Sequence, residues 1–415
     1  MQSVDGTHSM SPRYQVIAAI FWTLAFASIP AWISFDAPGW DYSIYRRAIH
    51  SVQAGHDPYS DAIAVQDAFH RELTHDPKAA TPFSYVYSPI TLPLLRPIGA
   101  LPVWLSSIAY WLIYAACALC LVWVGMQAVD ERERNGFLLI APAALFFPGM
   151  LQHDVILSGN VVIVLYTLVL LGAAIGWRCG QWYWCYLAIL VASCYKAPLL
   201  VLAAIPALCG RRQWLPAGIN MATGIGLFAI QSLIWPTLFH NFLRAVDLQF
   251  IYNRDFGISP AGQFTALLYA HGIPYTIAGP VIYLLYAVPV FAVLLHLSRR
   301  FLSGQFSLRQ WLPVLMLGSF LLNPRMIEYD VIPLTLPMAL IGWRFFARYN
   351  PPRRAILLLS LVVAVGNIFA VQNFGHWKQV EGIFLIAFFA AGSWELLQQS
   401  RTASEATTAA LRTTA

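Results

Sequence analysis

The chain has 415 residues, 59% of them hydrophobic and only 11% charged, with a net charge of +6. A soluble domain carries roughly 25% charged residues, so an ordinary soluble fold is excluded. Successive apolar stretches of about 20 residues match the thickness of a bilayer core. Their continuity, without alternation, excludes a β-barrel. These features predict an all-α polytopic membrane protein, a helical bundle of about ten to twelve spans. The basic residues are almost all arginine, the lysines being Lys78, Lys196 and Lys378. Most arginines sit in short links between apolar runs, which is the positive-inside pattern and not a nucleic-acid footprint. The six cysteines (Cys117, Cys120, Cys179, Cys185, Cys194, Cys209) lie in or beside apolar runs. Cys117 and Cys120 form a CxxC without a second pair or a nearby His, which reads as helix packing and not zinc.

In chain order, the first ten residues are polar and lack a small-residue cleavage site, so Tyr14 to Ile33 reads as a retained first span. Arg13 before it places the N-terminus in the cytoplasm and the polar segment 34–89 outside. That segment holds Asp36, Asp41, Asp57, Asp61, Asp67, Glu72 and Asp76, seven of the 19 acidic residues. Within it, Tyr42 to Ala54 and Asp61 to Leu73 have helical apolar spacing and are stopped by Gly55 and Asp76-Pro77. They read as short helices on the membrane surface, and GHDPY (55–59) between them as a tight turn. Tyr87 to Leu101 is broken by prolines and reads as a re-entrant or interfacial piece.

Val103 to Val124 goes in, Phe137 to Leu151 out, and Val155 to Trp177 in. Tyr183 to Cys209 is too long for one simple span, and a single crossing would put the arginines of GRR (210–212) outside. It is expected to be two half-length helices meeting at Ser193–Pro198 near the outer face, as broken helices at substrate sites do. Pro216 to Trp235 goes out, Pro236 to Pro274 forms a second external loop, and Thr276 to Leu297 returns. Trp311 to Leu322 goes out, NPRMIEYD (323–330) turns, and Val331 to Phe346 goes in. Ala355 to Val371 and Val380 to Leu397 finish with the C-terminus inside. Residues 1–399 thus form a single membrane domain, and the Thr/Ala-rich stretch 400–415 is expected to be a disordered cytoplasmic tail. No nucleotide-binding loop or metal-ligand motif is present, and neither a cofactor nor a metal is expected.

Asp41 and Tyr45 are four residues apart and share a helix face. Asp41 suits two roles, capping its helix or acting as a reacting carboxylate; Asp36 competes with it. Lys196 stands inside an apolar stretch, where an uncompensated ammonium is costly. It faces either a phosphate or a structural carboxylate such as Asp154. His153, Asp154 and Asn160 lie at the outer end of a span, and Arg325, Glu328 and Asp330 at another outer edge. Arg325 and the loop residue Arg254 suit phosphate as bidentate donors. Polar candidates from distant segments therefore converge on the outer boundary.

The segments WDYSIYRRAIHSVQAGHDPY (40–59), SYVYSPITLPLLRPIGALP (84–102), SGN (158–160), YKAPLLVL from Tyr195 and the GRR at 210–212 together resemble the glycosyltransferase 87 family. This family belongs to the GT-C membrane enzymes that use polyprenyl-phosphate sugars. The resemblance implies metal-independent transfer of a hexose, typically mannose, from a polyprenyl-phosphate donor to a lipid or glycan acceptor at the external face of the cell membrane. It places the essential acid on Asp41, ahead of Asp36. The family's lysine–proline pair appears here as Lys196-Ala197-Pro198, with an inserted alanine. On this reading Asp41 is the base, and Lys196, Arg325 and Arg254 meet the donor phosphate. Tyr45, Tyr85, Tyr87, His153, Asp154 and Asn160 contact substrate. A transporter or flippase without chemistry would use the same buried charges.

Overall fold

The computed structural model describes residues 39–73, 85–134, 136–138, 141, 158–253, 256–347, 349–350, 353–358, 360–361 and 378–413, with isolated positions between 16 and 23. Every regular element among them is helical. Hydrocarbon offers no water to backbone groups, so a chain of long apolar runs satisfies its N–H and C=O groups within helices. The described part runs α1 (Trp40–Gln53), α2 (Pro58–Leu73), α3 (Thr91–Ala100), α4 (Val103–Met126), α5 (Val162–Cys179), α6 (Tyr183–Tyr195), α7 (Ala204–Cys209) and α8 (Trp214–Ile234). It continues with α9 (Pro236–Asn253), α10 (Pro260–Ala270), α11 (Tyr275–Leu302), α12 (Leu308–Leu321), α13 (Ile332–Phe345) and α14 (Lys378–Thr413).

Four of these are long and apolar enough to cross a membrane: α4, α5, α8 with the 3-10 turn from Arg211, and α11. On α11 an exposed stripe of Ile277, Val281, Leu284 and Val288 faces outward, an apolar surface that suits lipid rather than water. Helix α12 is the opposite case: every residue from Trp311 to Leu321 is buried. A helix apolar all round belongs at the centre of a bundle. Neighbours α11, α13 and α14 cover it.

The links sort to two ends. At one end Arg309 pairs with Asp130 at 2.7 Å, Arg354 pairs with Glu133, and Trp343 Nε1 donates to Glu133 at 2.8 Å. Arg344 donates to the Gln310 carbonyl at 2.7 Å, and Gln310 to Gln399 at 2.9 Å. These belong to the arginine-rich links that the sequence assigns to one side. The other end carries a separate small core of Ile44, Tyr45, Ala48 and Ile49 from α1, Tyr59 and Ile63 from α2, Leu92 and Leu95 from α3, and Phe239 and Phe242 from α9. The described parts of segment 34–89 therefore fold as a helical cap on the bundle.

The turn in this cap is built by GHDPY. Gly55 adopts φ +79° and ends α1. Asp57 accepts from the Tyr59 amide at 2.9 Å, just ahead of Pro58 at the start of α2, and from Asn241 Nδ2 of α9 at 2.6 Å. The turn is structural, with Asp57 tying three helices together.

The piece 183–209 is a re-entrant hairpin. Helix α6 ends at Lys196, whose φ −136° and ψ 98° are extended, and a 3-10 helix (Ala197–Ala203) and α7 bring the chain back. Proline explains the break: Pro198 has no N–H to give the carbonyl of Cys194 four residues earlier. That carbonyl instead accepts the Ser88 hydroxyl at 2.6 Å. Both feet of the hairpin stand at the arginine-rich end. Trp177 Nε1 meets Cys209 Sγ at 3.3 Å, and the Tyr186 hydroxyl donates to the Gln213 carbonyl at 3.1 Å. The outward leg is about 20 Å long and the return about 23 Å from their helical rises, so the legs match. Gly172 and Gly176 let α6 approach α5, since a Cβ there would meet the Cys185 backbone at 2.7 Å and the Trp182 ring at 2.5 Å.

Two expectations change. The stretch 236–274, expected as a loop, is mostly the helices α9 and α10. The stretch after Ser400, expected to be disordered, continues α14 to Thr413, and its alanines favour that. The expected spans Tyr14–Ile33, Phe137–Leu151 and Ala355–Val371 lie largely outside the described residues.

Candidate active site

Helix α1 starts behind Gly39, which adopts φ 134° and gives no side-chain cap. Asp41 in the first turn does not cap the helix. Its Oδ2 accepts from Asn160 Nδ2 at 2.8 Å, and no other described residue donates to the carboxylate. Asn160 is fixed in turn: its Oδ1 accepts from the Val162 amide at 2.9 Å at the start of α5, and its own N–H meets Ser158 Oγ at 3.1 Å. The helix end thus orients the amide whose donor holds Asp41.

Tyr45, one turn along α1, donates to the Tyr87 hydroxyl at 3.0 Å, and Asn160 Nδ2 also reaches that oxygen at 3.2 Å. The Tyr59 hydroxyl holds the Tyr87 carbonyl at 2.5 Å, and Tyr85 bonds Thr91. The rings of Tyr45, Tyr59, Tyr85 and Tyr87 pack at centroid separations of 5.3–5.7 Å. Tyr85 and Tyr87 are buried, 3% and 6% exposed, so they frame the carboxylate rather than offer open ring faces.

Lys196, at the hairpin tip, sits 3.6 Å from Asp330 Oδ1 and 4.5 Å over the Tyr329 ring. Asp330 is buried and accepts from the Tyr166 hydroxyl at 2.8 Å and the Ile327 amide at 2.9 Å. Among the described residues, Asp330 is thus a carboxylate facing Lys196. Arg325 lies with its guanidinium 5.2 Å from the Phe250 ring, held by its amide to Asn323 Oδ1 at 3.1 Å.

Burial raises the Asp41 carboxyl to about 6, against the opposing pull of the Asn160 hydrogen bond and the Lys196 charge. Desolvation disfavours the ionised form, and the two partners restore part of it. Burial likewise pushes the Tyr45 and Tyr87 phenols upward, so both are neutral hydroxyls at ordinary pH. Tyr329 is raised by burial and by its neighbours Tyr87, Asp41 and Asp330, with Arg325 opposing. Tyr329 thus feels Asp41 and Arg325 alike, with Lys196 over its ring.

The structure brings together Asp41, Tyr45, Tyr87, Asn160 and Lys196, with Arg325 within electrostatic reach of Tyr329. His153, Asp154 and Arg254 lie outside the described residues. Tyr329, Tyr166 and Ser88 were not singled out from sequence. Pro198 offered a signal for Ser88, since a proline four residues on leaves a carbonyl seeking a donor. Among the described residues no three His, Cys, Asp or Glu side chains group to hold a metal.

The model of glycosyltransferase family 87 matches residues 85–324, more than half of the chain. The match includes Tyr85, Tyr87, Asn160 and Lys196 and begins beyond Asp41. No curated protein and no solved structure matches the chain. With that match over more than half of the chain and helices that suit a bilayer, the chain belongs to glycosyltransferase family 87 and is a membrane glycosyltransferase.

Proposed function

We propose that the protein transfers a hexose, with mannose as the favoured sugar, from a polyprenyl-phosphate donor to a hydroxyl of a lipid or glycan acceptor. The reaction takes place at the external face of the cell membrane, and the arginine-rich end with both termini is cytoplasmic. The observation that carries this reading is Asp41: a buried carboxylate near 6, held on one oxygen by Asn160, with the Lys196 charge within reach.

In the proposed step the acceptor oxygen attacks the anomeric carbon while its proton passes to Asp41. The bond from that carbon to the phosphate oxygen breaks, with inversion, and the polyprenyl phosphate leaves with one more negative charge. Charge therefore moves from the carboxylate to the phosphate. A base with a pKa near the working pH suits the first half and contributes about 10² to 10⁴-fold. Cations already in place suit the second, where Lys196 and Arg325 contribute about 10² to 10³-fold. Asn160 holds Asp41 in position, the Tyr45–Tyr87 hydroxyl pair steadies Asn160, and the polyprenyl chain lies between spans.

The test supplies purified protein with radiolabelled polyprenyl-phosphate mannose and a membrane lipid extract, wild type beside Asp41→Asn. Transfer is expected in the wild type and a loss of at least about 10²-fold in the variant. Equal transfer by both would remove Asp41 as the base.

A further inference from the structure

Lys196 faces an anion that the transfer step itself does not require. Asp330 is wholly buried, and its two hydrogen bonds are firm, from Tyr166 at 2.8 Å and from the Ile327 amide at 2.9 Å. Its approach to Lys196 is looser, at 3.6 Å. Charge-assisted N–H···O bonds are about 2.7–2.9 Å, so this is an ion pair in attraction but not in close contact. As a device for stability it is poor, because burying two charges costs desolvation that only excellent geometry repays.

The placement of Asp330 suggests another role. Tyr166, which holds Asp330, lies in the second turn of α5, and Asn160, which holds Asp41, lies two residues ahead of that helix. One helix end thus sets both carboxylates, and the Lys196 cation lies within electrostatic reach of each. Any phosphate entering this site competes with Asp330 for the ammonium.

We propose that Asp330 is a positioning residue that holds the Lys196 ammonium at the hairpin tip between turnovers and draws it back as the lipid phosphate leaves. This rests on the reading of the site as one that releases a polyprenyl phosphate. The carboxylate keeps Lys196 extended and aimed while the site is empty. It also weakens the grip on the product anion, so that the phosphate departs. Without its charge, Lys196 binds lipid phosphate more tightly and releases it more slowly.

The test uses the full chain in phosphatidylcholine nanodiscs, titrated with farnesyl phosphate and with farnesol as the uncharged control. Asp330→Asn can keep its shape: the amide oxygen accepts from Ile327, and the Tyr166 hydroxyl rotates to accept from the amide nitrogen. Farnesyl phosphate is expected to bind about tenfold more tightly to this variant, the equivalent of about 1.4 kcal/mol, with farnesol unchanged. In sugar transfer, KM for the donor and kcat are expected to fall together, a pattern that loss of folded protein does not produce. In a Lys196→Met background, Asp330→Asn is expected to leave farnesyl phosphate binding unaltered.

Unchanged or weaker phosphate binding by Asp330→Asn, or the same gain in the Lys196→Met background, would overturn the proposal. If Asp330→Asn does not fold, Tyr166→Phe serves. It strips Asp330 of one donor, strengthens its hold on Lys196, and is expected to weaken farnesyl phosphate binding; tighter or unchanged binding overturns the assignment. A wild type that binds farnesyl phosphate no better than farnesol instead defeats the lipid-phosphate reading of the whole site.

Discussion

Replacing Asp41 with asparagine is expected to abolish transfer and, at neutral pH, to stabilise the fold. The folded carboxyl titrates near 6, against 3.8 for a free aspartate, with burial the main cause. A raised acid pKa favours the fold only while the group is protonated. That contribution is full below 3.8 and is lost as the pH rises through about 6. Above this the wild type folds around a desolvated charge. At about 1.36 kcal/mol per pKa unit, the charge costs up to about 3 kcal/mol at pH 7. The substituted amide carries no charge, and its side-chain oxygen still accepts from Asn160. Thermal unfolding in nanodiscs, followed by a maleimide dye that reaches the buried Cys117 and Cys185, measures the difference. At about 1–2 °C per kcal/mol for a chain of this length, the variant should melt up to about 6 °C higher at pH 7.5. The gap should close as the pH falls from 6 towards 4. A variant no more stable than wild type at pH 7.5, or a gain that ignores pH, would refute the reasoning.

Asn160→Ala removes the one described donor to Asp41, so its carboxyl rises further and the acid limb of kcat/KM moves up by about one pH unit; a pH–rate profile reads it directly. Ser88→Ala leaves the Cys194 carbonyl without its donor, at a cost of about 1–2 kcal/mol. It should lower the melting temperature and expose the hairpin tip to protease. Gly257→Ala strikes the turn beneath the site: Gly257 adopts φ +86° and a Cβ there would collide with the Met326 carbonyl. That carbonyl also accepts from Ile258 at 2.7 Å. Both Gly257 and Gly272 have φ +86° and share a strain of about 1–3 kcal/mol on substitution, but the collision and a shifted 323–330 turn should make Gly257→Ala reduce transfer far more than Gly272→Ala, where a Cβ meets nothing within 4 Å.

The membrane class was legible in the sequence because it depends on a sum over many residues, and so was the sorting of arginine-rich links to one end. The hairpin could also be read, since Lys196, Pro198 and the following GRR leave few other ways to place the arginines. From residue spacing alone Asp41 was one of several carboxylates, and only the family resemblance set it ahead of Asp36. Its distinction comes from Asn160, 119 positions away, and no local pattern encodes such a meeting. Asp330 beside Lys196 was missed for the same reason: it arrives from the other half of the chain, while Asp154, the carboxylate weighed from sequence, lies outside the described residues. The helices α9 and α10 were hidden because their polar faces read as loop until α2 and the turn 323–330 supply partners.

The hairpin has a further consequence, which concerns length rather than chemistry. Its feet are fixed beside Trp177 and Gln213, while its tip carries Lys196 at the opposite end of the bundle. The first leg is therefore a ruler laid from the far end of the bundle. Substitutions along it change what the ruler touches, but one residue added to α6 would turn Lys196 by about 100° and advance it about 1.5 Å. The ammonium would then leave both Asp330 and Asp41. Variants of this protein should thus tolerate many changes of side chain between Tyr183 and Tyr195 and almost none of length.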